Sequence, residues 1–181
     1  MIRVNKTLTV LATLLSLGSL TCKAADTFER KPGLWKISMQ FSRNEAPHRV
    51  QQCLAADTDA RISRIGTESM KGICSKLDNR RVGNTYVTDS ICKIGTHTSV
   101  AHEETVFDGD SAYRTTMQTH DDHPGPNATA DSVYTQEGHW AGPCPSSMKP
   151  GDQIMEVGPQ MPEGIKTNIL EAAEAARPAA R

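Results

Sequence analysis

The residues best suited to chemistry are six histidines and the acidic side chains near them. Residues 120–123 read His-Asp-Asp-His, which places four potential metal ligands in one short stretch. Imidazole and carboxylate groups together bind zinc, copper or nickel. The stretch is therefore a candidate metal site, with His120, Asp121 and His123 as its ligands. The alternative is a solvated turn, which the following Pro124 favours.

The other histidines add little to the metal hypothesis. His97 and His102 fall on one predicted strand, but an odd number of positions separates them, so they face opposite sides. His139 stands beside Trp140, where packing or a hydrogen bond is the simpler interpretation. A metal-dependent enzyme or metal carrier stays an alternative function. It depends on whether the fold brings a third histidine or a carboxylate to His120 and His123.

The sequence lacks the motifs of the common enzyme classes. It has no Gly-x-Ser-x-Gly nucleophile elbow, and it has neither a Walker A motif nor a Gly-x-Gly-x-x-Gly phosphate loop. Lys and Arg number 20 against 21 Asp and Glu, and the net charge of -1 argues against nucleic-acid binding. These features favour a non-enzymatic protein, and no cofactor is expected.

The first 24 residues are predicted to be a cleaved signal peptide. Arg3 and Lys6 precede an apolar stretch over residues 8–20, and small residues occupy the positions before a cut after Ala24. The apolar stretch is too short to span a bilayer. Cys22 raises lipidation as an alternative, but the residues before it match a lipobox poorly. The expected location is the periplasm or the cell exterior, with no transmembrane span after cleavage.

Cleavage would leave four cysteines, an even number that predicts two disulfides in an exported chain. Cys74 and Cys92 are symmetric about the turn signal Val-Gly-Asn at residues 82–84, so a hairpin would place them opposite each other. Cys53 would then pair with Cys144. A zinc site is the alternative, but the sequence has no Cys-x-x-Cys pair and the spacings do not suit one.

Alternating and β-branched stretches predict a mainly β domain over residues 25–152. In the first stretch, Trp35, Ile37 and Met39 share one face. We expect a single antiparallel meander of five to six strands, forming a curved sheet or a partly closed barrel. The later strands are expected over residues 73–79, 85–94, 96–107, 112–120 and 132–140.

Helical signals are few and short. Asp57 is expected to cap one short helix that ends at Ile65, with Ile62 and Ile65 facing inward and Gly66 terminating it. Residues 153–181 are expected to form a C-terminal extension that is partly helical or disordered.

Two local motifs are similar to those of an exported bacterial family grouped as domain of unknown function 3617. One is Lys-Pro-Gly-Leu-Trp at residues 31–35. The other is the Cys-Pro at residues 144–145 followed by Met-Lys-Pro-Gly-Asp at residues 148–152. With the four cysteines, the resemblance covers residues 31–152. It implies a small, predominantly β protein exported in a Gram-negative bacterium, and it carries no activity and no catalytic residues.

These observations favour a binding or envelope-associated module, whose partner would be a small apolar ligand or an envelope protein. The side chains that could line a ligand site are Trp35, Tyr86, Tyr113, Met117 and Trp140. The same residues could simply fill a thin core, since the chain has only 2 Trp, 3 Tyr and 3 Phe.

Overall fold

The computed structural model describes residues 29–41, 46–125, 129–157, 161 and 163–175. The predicted signal peptide and Cys22 lie outside these residues. Within them the chain forms nine strands and two helices. The strands are β1 (Gly33–Gln40), β2 (His48–Leu54), β3 (Cys74–Val82), β4 (Thr85–Ile94), β5 (His97–Asp108), β6 (Ala112–Asp121), β7 (Asp131–Gly142), β8 (Asp152–Met155) and β9 (Ile165–Asn168). The helices are α1 (Thr58–Met70) and α2 (Ile169–Ala175).

The strands form one antiparallel sheet in the order β3-β4-β5-β6-β7-β1-β2-β8-β9. Strands β3 to β7 are a meander, and Gly83, Gly95 and Gly109 supply the positive φ angles of its turns. The prediction of a mainly β, antiparallel sheet is confirmed. The prediction of five to six strands is wrong, and the sheet is not closed into a barrel. The three additional strands are β2, β8 and β9, which extend the sheet beyond β1. The sequence has no hairpin signal that predicts them.

The predicted end of the first helix at Ile65 is wrong as well. Helix α1 follows Asp57, but that side chain makes no capping hydrogen bond, and the helix continues through Gly66 to Met70. A lone glycine costs a helix only about 1 kcal/mol, so it need not terminate one. Ile62 and Ile65 are half-buried rather than core residues.

The second helix, α2, forms within the predicted C-terminal extension, directly after β9. No helix in the described part of the chain is long and apolar enough to cross a membrane.

The core lies on one face of the sheet, around Trp35. Its buried members are Trp35, Ile37, Val50, Leu54 and Tyr113. Trp35 is 0% exposed, and its indole Nε1 donates a hydrogen bond to the Lys31 carbonyl oxygen at 2.8 Å. Burial of two aromatic rings supplies much of the stabilisation that so small a core can provide.

The Lys-Pro-Gly-Leu-Trp motif has a structural role at the start of β1. Gly33 has a φ of +132°, and a Cβ there would overlap the Gly142 carbonyl oxygen and Trp140 Nε1. Trp140 Nε1 donates to the Pro32 carbonyl oxygen at 2.9 Å, and Lys31 Nζ lies 4.1 Å from the centroid of that ring. The motif therefore joins β1 to the end of β7, over a sequence distance of about a hundred residues.

Two disulfides connect strands of the sheet, one at the β3 edge and one near the middle strands β7, β1 and β2. Cys74 and Cys92 are bonded across β3 and β4, where they are also partners in the strand register. Cys53 on β2 is bonded to Cys144, which follows β7. The structure thus contains the pairing that a hairpin turning at residues 82–84 predicts.

Candidate functional site

The histidines proposed as metal ligands each have a separate carboxylate partner. His120 Nδ1 lies 2.8 Å from Asp131 Oδ1, and His123 Nδ1 lies 3.0 Å from Asp122 Oδ1. Asp121 is half-buried at the end of β6. Over the described part of the chain, no group of three or more His, Cys, Asp and Glu side chains could hold a metal ion. The metal hypothesis stays a prediction from the sequence, and the geometry adds nothing to it.

A second polar cluster lies on the face of the sheet opposite the core. His102 Nδ1 is 2.6 Å from Asp89 Oδ1 and its Nε2 is 3.4 Å from Glu104 Oε1. Arg80 Nη1 is 2.5 Å from the other oxygen of Asp89. Hydrogen bonds from His102 and then Arg80 lower the pKa of Asp89 to about 2, and Asp89 raises the pKa of His102. Such solvent-exposed networks contribute little to stability, and this one is a solvated surface of paired charges.

The face that carries Trp35 has two differently built halves. In the first half, the Arg30 guanidinium lies 5.6 Å from the Trp35 ring centroid and 5.5 Å from that of Tyr113. Arg30 Nη2 is also 2.6 Å from Asp59 Oδ1, in the first turn of α1, and the two side chains are only 8% and 7% exposed. This half of the face is covered core.

The second half carries a row of side chains that the strand register places side by side. Glu103 on β5 lies between Thr88 on β4 and Met117 on β6. Met117 is in turn opposite Tyr134 on β7, whose ring centroid lies 5.2 Å from that of Phe41. We call these five residues the Glu103 row. Phe41 is 53% exposed and the other four are half-buried.

A chain of hydrogen bonds connects the Glu103 row to the core. The Tyr134 hydroxyl donates to Gln136 Oε1, and Gln136 Nε2 donates to the Tyr113 hydroxyl oxygen. On the neighbouring strands of the same face, the hydroxyls of Thr105 and Thr115 lie 2.8 Å apart. Burial, then Tyr113 and the carboxylate of Glu103, raise the pKa of Tyr134 to about 12. Tyr134 therefore stays a neutral hydroxyl at physiological pH.

Glu103 is the acidic member of the row, and its cross-strand neighbours Thr88 and Met117 carry no charge. Burial alone raises the pKa of its carboxyl group above the usual range. No hydrogen bond or ion pair from the described residues reaches that carboxylate. A carboxylate removed from water without a partner costs folding free energy, so the position calls for an explanation.

A family model described as "Protein of unknown function (DUF3617)" matches residues 30–144. The chain belongs to this family. A comparison with curated proteins finds no match, and neither does a comparison with solved structures. The DUF3617 region begins at Arg30 and ends at Cys144, so it contains both halves of the Trp35 face and all four cysteines of the two disulfides. Strands β8 and β9 and helix α2 follow it.

Within the DUF3617 region, the five side chains proposed from sequence fall on different parts of the face. Trp35 and Tyr113 are in the core, and Trp140 packs against it. Met117 belongs to the Glu103 row, and Tyr86 lies half-buried on β4, opposite Thr105. The sequence interpretation therefore combined two surfaces, one covered and one open.

Sequence reasoning missed Glu103, Tyr134 and Gln136, although a signal for them exists. In β5, Glu103 is in phase with Thr105, and in β7, Tyr134 and Gln136 are in phase with Gly138. The alternation of a strand places such residues on one face. Following each phase across the meander would have put a carboxylate among Met117 and the tyrosines.

Proposed function

We propose that this DUF3617 protein is an exported binding module that takes a small molecule with an apolar body on the Glu103 row. Export is supported by the signal-peptide pattern of residues 1–24 and by the two disulfides, which persist in oxidising compartments. The family match itself names no activity. The proposal therefore rests on the surface that the sheet presents.

The observation that carries the proposal is the contrast between the two halves of one face. Arg30 and the start of α1 cover the first half. The main contacts of α1 are with α2, and those of α2 are with α1 and β9, so both helices pack mainly away from the strands of the second half. The second half keeps Met117, Tyr134 and Phe41 together and at least partly open to solvent. Aromatic and methionine side chains are the usual lining of small-molecule sites, because they are large, apolar and adaptable.

A neutral apolar dye tests this proposal directly. N-phenylnaphthylamine should gain fluorescence with the mature wild-type protein. Met117→Lys should abolish the gain, because it replaces an apolar contact in the middle of the row with a charged chain. The variant should still fold, since its ammonium group can pair with Glu103.

A substitution on the opposite face supplies the matched control. Val100 lies on the same strand as Glu103 but points to the other side, and it is 45% exposed. Val100→Lys should leave dye binding unchanged. Equal loss in both variants, or no fluorescence gain with the wild-type protein, would overturn the proposal.

A further inference from the structure

We infer that the ligand of the Glu103 row carries a positive charge, and that the Glu103 carboxylate binds it. The ligand class is an amphipathic organic cation, with an ammonium group at Glu103 and an apolar tail directed along the row. This inference rests on the proposed function and specifies its chemistry.

The first argument is that Glu103 has, among the residues that the structure describes, no partner of the kind that nearby carboxylates have. On β4, Asp89 contacts both Arg80 and His102. On β5, Glu104 is next to Glu103 but lies on the opposite face of the sheet, where it contacts His102. On the Trp35 face itself, Asp59 is paired with Arg30. In contrast, Glu103 has Thr88 and Met117 on its two sides, and neither carries a charge. A cation supplied by a ligand would complete the pattern.

The Arg30 contact shows how this face already binds a cation. Its guanidinium lies against one carboxylate and within 5.6 Å of two aromatic ring centroids, those of Trp35 and Tyr113. The Glu103 row repeats two of these three components, a carboxylate and an aromatic ring, the latter from Tyr134. An ammonium group near a tyrosine ring gains cation–π attraction in addition to its pairing with the carboxylate.

The second argument is the polarity of the row along its length. Its charged member lies on β5, and the exposed Phe41 lies directly after β1. Those strands are three spacings apart in the sheet, at about 4.8 Å each, which gives about 14 Å. Within the row, Met117 and Tyr134 are the two side chains that lie between Glu103 and Phe41. A molecule with its charge at one end and an apolar tail of this length matches that order.

The same features disfavour other amphipathic molecules. A fatty acid would place a second carboxylate beside Glu103, and like charges in a poorly solvated site repel. A neutral amphiphile would leave the carboxylate unpaired and even less hydrated than before, which is costly. The row thus discriminates by charge as well as by shape.

Displacement of the dye by three detergents with the same tail tests the inference. The probes are decylammonium, decyl glucoside and decanoate, each used below its micelle concentration. With the wild-type protein, the cation should bind at least about tenfold more tightly than decanoate, since a charged contact is worth one to two powers of ten. Glu103→Gln should weaken the cation by about tenfold, and it should not weaken decyl glucoside, because the variant has no carboxylate left unpaired beside the neutral headgroup.

Glu104→Gln is the matched control, because it removes a neighbouring charge on the opposite face and should change none of the three affinities. Equal affinities of the three detergents, or a preference for decanoate, would overturn the charge inference while leaving the binding site intact. Absence of dye binding would instead overturn the proposed function. The ranking on the wild-type protein decides the question even if Glu103→Gln fails to fold.

Discussion

Replacing Asp59 by Asn tests whether the buried ion pair with Arg30 holds the start of the domain on its core. Arg30 Nη2 is 2.6 Å from Asp59 Oδ1, and Arg30 Nε donates to both carboxylate oxygens at 3.1 Å. The Arg30 backbone N–H donates to Asp59 Oδ2 at 2.7 Å. Both side chains are more than nine-tenths buried, so neither can turn to water when its partner is lost.

The expected loss follows from what the substitution leaves behind. Asn has the shape of Asp but no charge, so the guanidinium would stay over Trp35 and Tyr113 without a counter-ion. Removing one partner of a buried pair costs about 3–5 kcal/mol. The free energy of unfolding of Asp59→Asn, measured by urea denaturation with tryptophan fluorescence, should fall by about that amount. The double variant Arg30→Met, Asp59→Asn should lose less than the two single losses together, because no unpaired charge remains.

An exposed ion pair on the same helix supplies the control. Arg61 Nη2 is 3.2 Å from Glu174 Oε1, and their side chains are 35% and 60% exposed. Glu174→Gln should therefore cost less than about 1 kcal/mol. A loss for Asp59→Asn no larger than that of Glu174→Gln would refute the reasoning, and so would strictly additive losses in the double variant.

Two further predictions concern the attachment of the C-terminal strands and the disulfides. Burial acts to raise the pKa of Asp152, but hydrogen bonds from Lys166 Nζ, the Lys149 N–H and Asn168 outweigh it and hold that pKa at about 2. Because this lies below the usual unfolded value of about 3.9, the stabilisation is present above about pH 4 and is lost as the pH falls through about 2. Asp152→Asn should remove that part of the acid dependence in a circular-dichroism titration, and an unchanged curve would contradict it. Replacing Cys53 and Cys144 by Ala should cost about 4.6 kcal/mol, against about 3.2 kcal/mol for Cys74 and Cys92, because the first bond spans 91 residues and the second 18. Thermal denaturation that shows equal losses would contradict this loop-entropy reasoning.

The meander from β3 to β7 could be predicted from sequence because its pairings are local. Each strand pairs with the next one, and glycines with positive φ occupy the turns at residues 83, 95 and 109. The same locality places Cys74 opposite Cys92. Alternation then assigns every residue of these strands to a face.

The pairings of β1 with β7 and of β2 with β8 could not be predicted, because the paired strands are distant in sequence. Strand β1 pairs with β7, which begins about ninety residues later, and β2 pairs with β8. No spacing in the chain specifies these registers. The contact between Arg30 and Asp59 is similar, since it joins residues 29 positions apart across the sheet and a helix. The Arg30–Asp59 contact covers the first half of the Trp35 face, and so it determines that the Glu103 row is the half left open to solvent.

The Arg30–Asp59 measurement also sets a scale for the Glu103 row. Both sites place a carboxylate near aromatic rings on one face of one sheet, but Asp59 is buried and accepts four hydrogen bonds from Arg30. Glu103 is half-buried, so water screens part of any charge that binds it. The coupling energy between Arg30 and Asp59 is therefore an upper limit for that between Glu103 and a ligand cation. A cation preference stronger than this limit would require contacts beyond Glu103, and Tyr134 is the aromatic member of the row that is closer to Glu103 in the sheet.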